Sequence, residues 1–307
     1  MTDAEPPVGP SPAEVTAYER RLHRVAQVRS VDAADAELGQ VLSHVAGRRA
    51  RRSVPIARPD VDAPTPVAPP VEAVPAAGGD GIRLLAVSAV GPAIRLLRVT
   101  RPPGLRFRAG QHLKLGAAGA ATGTFSIASA PHDAHLEFCV ELIPGGSATP
   151  ALFALEPGAP VDLSDQPKGS FTLGRSVPIH LMIATVTGIA PLRSMLRDAL
   201  HRGTRDRFVV LHGASHADEL AYREELEALA AADARVEYRP TVSQPGDSRS
   251  TGWTGATGRV DDLALSAAPG FDRRNTCAYA CGNPAMVERM RTELGRLGFG
   301  VSTEKFD

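Results

Sequence analysis

The spacing of apolar residues changes character repeatedly along this chain. Near the start it is helical: Tyr18, Leu22 and Val25 fall on one face, and Leu38, Val41, Leu42 and Val45 do the same further on. Ser11-Pro12-Ala13-Glu14 ahead of them is a capping box with proline at the first helical position. Two such short helices are not stable alone and must bury their stripes on each other, on the main body or on a partner. Arg48-Arg49-Ala50-Arg51-Arg52 then reads as a solvated helix end. Residues 53–80 carry seven prolines among Ala, Val and Asp, which predicts a semi-extended linker behind a helical leader of residues 1–52.

Beyond Gly81 the period shortens to that of strands. Arg83 to Val90 and Ala93 to Thr100 are apolar-rich runs joined by Gly91-Pro92, a hairpin-like turn. From Ala134 to Leu142, Leu136, Phe138, Val140 and Leu142 alternate with His135, Glu137, Cys139 and Glu141, predicting a strand with one apolar face. Further short strands are expected at Val161–Leu163 and Ser170–Leu173, so residues 81–176 read as a small antiparallel β-barrel. From Pro178 strands alternate with helices. Ile179–Ala184, Phe208–Leu211, Val236–Tyr238 and Thr276–Ala280 are expected strands; Pro191–His201, Asp218–Ala232 and Pro284–Leu297 are expected helices. Residues 177–307 therefore read as a doubly wound α/β domain with a parallel sheet covered on both faces.

Composition narrows the classes. The 307 residues are 43% apolar and 22% charged, enough for a sizeable core in two domains. Basic and acidic residues balance at 34 each, so no global field favours nucleic acid or an anionic membrane. Three cysteines, Cys139, Cys277 and Cys281, argue against a disulfide framework and for a reducing, cytoplasmic setting. Their spacing suggests no metal site. The start has no secretory signal pattern, and no apolar run approaches the ~18 residues of a membrane span. The nine histidines are expected to be ordinary surface or edge residues, His212 and His216 among them.

Ile183-Ala184-Thr185-Val186-Thr187-Gly188-Ile189-Ala190-Pro191 is a strand running through small residues into a helix, a place where free backbone N–H groups suit a pyrophosphate. A plain strand–helix turn explains the stretch equally well. Taken with GTFSIASAP, PGGSAT, PKGSFTL, LHGASHADELAYREEL, PTVSQP and CGNPAMVERM, in that order, the region from Gly81 to Asp307 resembles the ferredoxin–NADP reductase family, its bacterial type most closely.

The resemblance implies an FAD-binding barrel, an NADP- or NAD-binding domain, and electron transfer from the nicotinamide nucleotide to ferredoxin, flavodoxin or a dedicated redox partner. Phe125 and Ser126, with Ile127 behind them, match the residues lying against the flavin. Gly145, Gly146, Ser147 and Thr149 match the loop holding its pyrophosphate. Thr185, Thr187 and Gly188 match the nicotinamide-nucleotide turn, with Arg197 and Ser215 counted in the same site. Cys281 and Gly282 match a Cys-Gly beside the nicotinamide, and Glu304 and Phe306 a terminal Glu-Lys-aromatic ending. Ser126, Cys281 and Glu304 thereby become the expected catalytic residues.

Several ligand positions depart from the family pattern. Gly123 stands where an arginine contacts the FAD phosphates, leaving Arg106, Arg108 and Lys168 as candidate substitutes. Phe125 replaces a tyrosine, and Val186 replaces a glycine of the nucleotide turn. Ser215 and Gln244 replace arginines that face the 2′-phosphate. An active FAD reductase with altered cofactor preference is the first reading. The alternative is a reductase-like subunit with weakened cofactor binding that acts as a docking or scaffold protein, its helical leader engaging a protein partner.

Overall fold

The computed structural model describes residues 81–174 and 176–306. The expected helical leader 1–52 and the linker 53–80 lie outside the described residues, as does Asp307.

Six strands form the first lobe: β1 (Leu84–Val90), β2 (Ile94–Thr100), β3 (His112–Ala117), β4 (Gly123–Ser126), β5 (His135–Glu141) and β6 (Val161–Leu163). They make two antiparallel sheets, ordered β1-β2-β5 and β4-β3-β6. Isolated bridges, Ile127 to Phe138 and Arg83 to Pro160, join the sheets at both seams into a barrel. Inside, Leu84, Leu97, Leu113, Leu115, Leu136 and Phe138 form the core, and the short helix α1 (Thr149–Phe153) contributes Leu152 to it.

The second lobe is a six-stranded parallel sheet ordered β10-β9-β8-β7-β11-β12. Its strands are β7 (Ile179–Thr185), β8 (Arg207–Ala214), β9 (Val236–Val242), β10 (Ala256–Thr257), β11 (Thr276–Gly282) and β12 (Gly300–Lys305). Helices α2 (Ile189–His201) and α3 (Arg223–Ala232) cover one face; α4 (Val260–Ala267) and α5 (Pro284–Arg296) cover the other. The central strands are predominantly apolar because both faces are buried: Met182, Phe208 and Tyr279 belong to one core, Leu181, Val209 and Ala278 to the other. Chain order reverses between β7 and β11, which makes their C-terminal ends the switch point where such sheets bind ligands.

Four expectations are corrected. Ser170–Leu173 is irregular; what pairs there is the single bridge of Lys168 to His112. The expected helix Asp218–Ala232 is broken, with Ala217–Glu219 a 3-10 turn and Tyr222 at φ +61° before α3 starts. The polar face of β5 does not face water: Cys139 joins the core under α2, and Glu137 is buried beside it. His180, His212 and His216 are all buried, so these are not surface or edge residues. Among the described residues no helix is long and apolar enough to cross a membrane.

Candidate functional site

The site begins with the register of two short strands. In the β3–β4 pair, Leu113 lies opposite Phe125 and His112 opposite Ser126. Alternation therefore sends Phe125 toward the barrel core and Ser126, with His112, to the other side. Phe125 is half-buried, and its ring lies back over its own strand: a Cβ at Gly123 would stand 2.8 and 2.9 Å from two ring carbons. Gly123 is thus the residue that lets the ring take this position.

From the other lobe, Glu304 on β12 reaches Ser126. The Ser126 hydroxyl donates to Glu304 Oε2 at 3.0 Å, and His112 Nδ1 is 3.5 Å from Oε1. Burial pushes the Glu304 carboxyl above the usual carboxylate range, with Ser126 and His112 pulling the other way. Glu304 pairs in register with Cys281 on β11, so both side chains leave the same face of the sheet, toward the barrel. Burial, and the nearby Glu304, hold the Cys281 thiol well above its ordinary range, which keeps it neutral.

The turn after β7 packs directly on the end of β11. A side chain at Gly188 would collide with the Cys281 carbonyl, and one at Gly282 with the Thr185 hydroxyl. Gly282 also needs φ +124°, open only to glycine. The Asn283 N–H donates to Thr185 Oγ1 at 2.7 Å, and the Phe306 N–H to the Gly282 carbonyl at 3.2 Å, which carries the β12 ladder one residue past Lys305 along the end of β11. Val186 sits at φ +47°, an uncommon conformation for a β-branched residue. Its carbonyl accepts from Nε2 of the buried His212 at 3.0 Å, and His212 Nδ1 is 3.1 Å from the Tyr238 hydroxyl.

Residues 182–292 match the oxidoreductase NAD-binding domain family. The chain is similar to ferredoxin–NADP reductase B of Sorangium cellulosum, 35% identical over 240 residues that span 73% of this chain and 96% of the relative. The chain belongs to the ferredoxin–NADP reductase family. It also resembles the reductase component of phenol 2-monooxygenase from Pseudomonas sp. strain CF600, at 34% identity over 68% of this chain and 60% of that protein. The fold matches a ferredoxin NADP+ reductase from Neisseria gonorrhoeae solved with FAD and NADP, with a TM-score of 0.65, 22% identity, and coverage of 73% of this chain and 97% of that one.

Reductases of this family use FAD, and the residues present fit it. At the ring end, the Ser126 hydroxyl and the interlobe carboxylate of Glu304 stand on one side of β4, and the half-buried Phe125 ring lies beside them on the other, still partly open to a flat group. At the phosphate end the segment from Ile143 to Thr149 is a tight loop, closed where the Thr149 hydroxyl accepts the Ile143 N–H at 2.9 Å. Gly145 and Ser147 are exposed at its tip, and Gly146 is half-buried between them. Thr149 is therefore a brace of the loop, while the exposed tip is the part free to meet a phosphate. Arg106, Arg108 and Lys168 are all exposed, and the bridge to His112 sets Lys168 beside the Ser126 row.

Not every expected residue joins the site. Ile127 is fully buried in the barrel core and its N–H donates to the Gln111 carbonyl at 2.9 Å, so it forms the wall behind Ser126. Arg197 lies well along α2, its guanidinium on Asp133 at 2.5 and 3.2 Å, and we assign it to the junction between the lobes. Ser215 directly follows β8, its N–H donating to Glu219 Oε2 at 3.0 Å. Thr187 is buried within the turn. His112 and Glu219 were not legible beforehand. A single histidine in a strand gives no signal until its register partner is known, and Glu219 reads as an ordinary helical acid.

Proposed function

We propose that this chain draws electrons from a reduced nicotinamide nucleotide and delivers them to a one-electron carrier protein, using FAD held by the barrel. FAD supplies the chemistry: it accepts a hydride and gives up its electrons singly. The protein's task is alignment and exclusion of water. Phe125 offers the flat surface, and Gly145, Gly146 and Ser147 the backbone donors for phosphate. Ser126 presents a hydroxyl whose hydrogen bond to Glu304 ties the barrel to the nucleotide lobe. Glu304 keeps its proton to higher pH than an exposed carboxylate and can hold or return one at Ser126 Oγ. Thr185, Thr187 and Gly188 form the nucleotide turn, Gly282 gives it clearance, and Cys281 fills the space beside it as a neutral thiol. Phe306 follows β12 at this end of the sheet.

The observation carrying the reading is the Ser126–Glu304 hydrogen bond, which draws the proposed flavin seat and the Cys281 strand end into one site at the sheet's switch point. The test is a visible spectrum of the purified protein, before and after incubation with FAD, followed by addition of reduced nucleotide without oxygen. A flavin band bleached by the nucleotide and restored by ferricyanide is expected. A colourless protein that takes up no FAD would favour the docking-subunit alternative.

A further inference from the structure

In a doubly wound sheet, a dinucleotide lying on the turn after the first strand extends its adenosine over the end of the neighbouring strand. There an acidic residue accepts hydrogen bonds from the ribose hydroxyls, or an arginine receives a 2′-phosphate. Here the turn follows β7 and the neighbour is β8, with Thr185 in register with Gly213. What stands past the end of β8 is acidic.

Two consecutive backbone donors, the N–H groups of Ser215 and His216, could there hold an anion. Both instead donate to Glu219 Oε2, at 3.0 and 3.2 Å. Glu219 is only 2% exposed, so the protein has built its own anion into this place. The Arg249 guanidinium beside it is committed as well. Its Nε and Nη2 donate to Asp218 at 3.0 and 2.9 Å, and its Nη1 is 3.3 Å from Glu219 Oε1 and 3.1 Å from His216 Nδ1. Asp247 adds a third carboxylate, 3.7 Å from His216 Nε2. Arg223 donates to Glu227 at 2.7 Å, with its guanidinium 4.8 Å from the centre of the Trp253 ring. Ser215 and Gln244 contribute uncharged side chains.

A phosphomonoester with nearly two negative charges would meet the part-exposed Asp218 and Asp247 against Arg249, with the buried Glu219 charge behind them. Ribose hydroxyls, by contrast, can donate to a carboxylate. We propose that this chain selects the nicotinamide nucleotide lacking the 2′-phosphate, and that the Asp218–Glu219–Arg249 cluster past β8 sets the choice. The inference rests on the nucleotide reading above.

Two measurements on the full chain test it. Calorimetric titration with ADP-ribose and with its 2′-phosphate requires neither flavin nor turnover. The FAD-loaded protein is assayed in parallel for kcat/KM with NADH and NADPH, using ferricyanide as acceptor. ADP-ribose and NADH should be favoured by about tenfold or more, as expected where a site leaves one partner's charge uncompensated. Asp218→Asn, which releases Arg249, should cut that preference several-fold, and Ser215→Arg should do so independently. Equal or tighter binding of the 2′-phosphate overturns the proposal, and an unchanged preference in both variants overturns the role of the cluster. Failure to bind either ADP-ribose form overturns the nucleotide reading as well.

Discussion

Val186 holds a β-branched side chain at φ +47°, a conformation that costs on the order of 1–3 kcal/mol and persists only where neighbours enforce it. His212 is one such neighbour. The Val186 carbonyl can only accept, so Nε2 carries the imidazole proton and Nδ1 is left to accept from Tyr238. Burial pushes the Tyr238 hydroxyl up, which keeps it a donor. Burial also pushes His212 from 6.5 down to about 4. Between those values the unfolded chain takes up a proton that the folded protein refuses, so folding stability falls as pH drops through this window. The loss amounts to roughly 3 kcal/mol at about 1.4 kcal/mol per pH unit. His212→Gln can still offer a side-chain N–H to Val186 but cannot titrate. Its stability, measured by urea unfolding, should lie below that of the parent at pH 7.5. The gap should close as pH falls toward 4.5, and a constant gap across the range would contradict the buried neutral imidazole.

At the scale of elements, legibility followed burial. Strands β7, β8 and β11 read clearly because both faces are packed and their sequences are apolar runs broken only by isolated polar residues such as His180 and His212. Strand β12, with the sequence GVSTEK, is a half-exposed edge and carries no such signal. That silence hid the pairing of Cys281 with Glu304: the family resemblance named both residues, and only the register of β11 with β12 brings them together. The stretch after Asp218 looks like one helix because its acids and leucines keep a helical period. The left-handed Tyr222, with its ring buried under the Arg193 guanidinium, interrupts it for tertiary reasons. Alternation in β5 told truly which residues share a face but not that a second lobe covers the polar one. The contact between the β7 turn and the end of β11 is an element-level demand of the same kind. Gly188→Ala drives a methyl into the Cys281 carbonyl, and backbone on both sides has no easy retreat. We expect a loss of about 2–3 kcal/mol and failure of ADP-ribose binding. Gly246→Ala, where open space surrounds the added carbon, should leave both unchanged. Calorimetric unfolding and titration of the two variants side by side provide the comparison.

For the whole molecule, the question is what makes the two lobes one body. Barrel residues Ile94, Ala109, Ala128 and Cys139 belong to the same apolar core as α2 and β7, so the junction is continuous with the interior of the sheet. Within it lies Arg193, 7% exposed, with its donors divided between the lobes. Toward the barrel it donates to the Ala128 carbonyl at 2.8 Å and pairs with Glu137 at 3.2 Å. Toward its own lobe it forks onto Glu225, with contacts from 2.8 to 3.0 Å, and lies 4.2 Å over the Tyr222 ring. The Ser194 hydroxyl adds a bond to the Ser129 carbonyl at 2.6 Å. A planar fork with five donors can satisfy all these partners at once, whereas an ammonium on a flexible stem cannot. Arg193→Met takes a donor from the Ala128 carbonyl and the main interlobe counter-charge from the buried Glu137, at a cost of about 3 kcal/mol. Arg193→Lys should recover only a minor part of it. The loss falls on the junction rather than on either core, so a single heat-absorption peak in the parent should broaden or split in Arg193→Met. Electron transfer from the nucleotide should slow while FAD uptake by the barrel persists, because Ser126 and Glu304 are then no longer held in register. Unchanged transfer with a single sharp transition would mean that the shared apolar core alone fixes the lobes and that Arg193 is incidental.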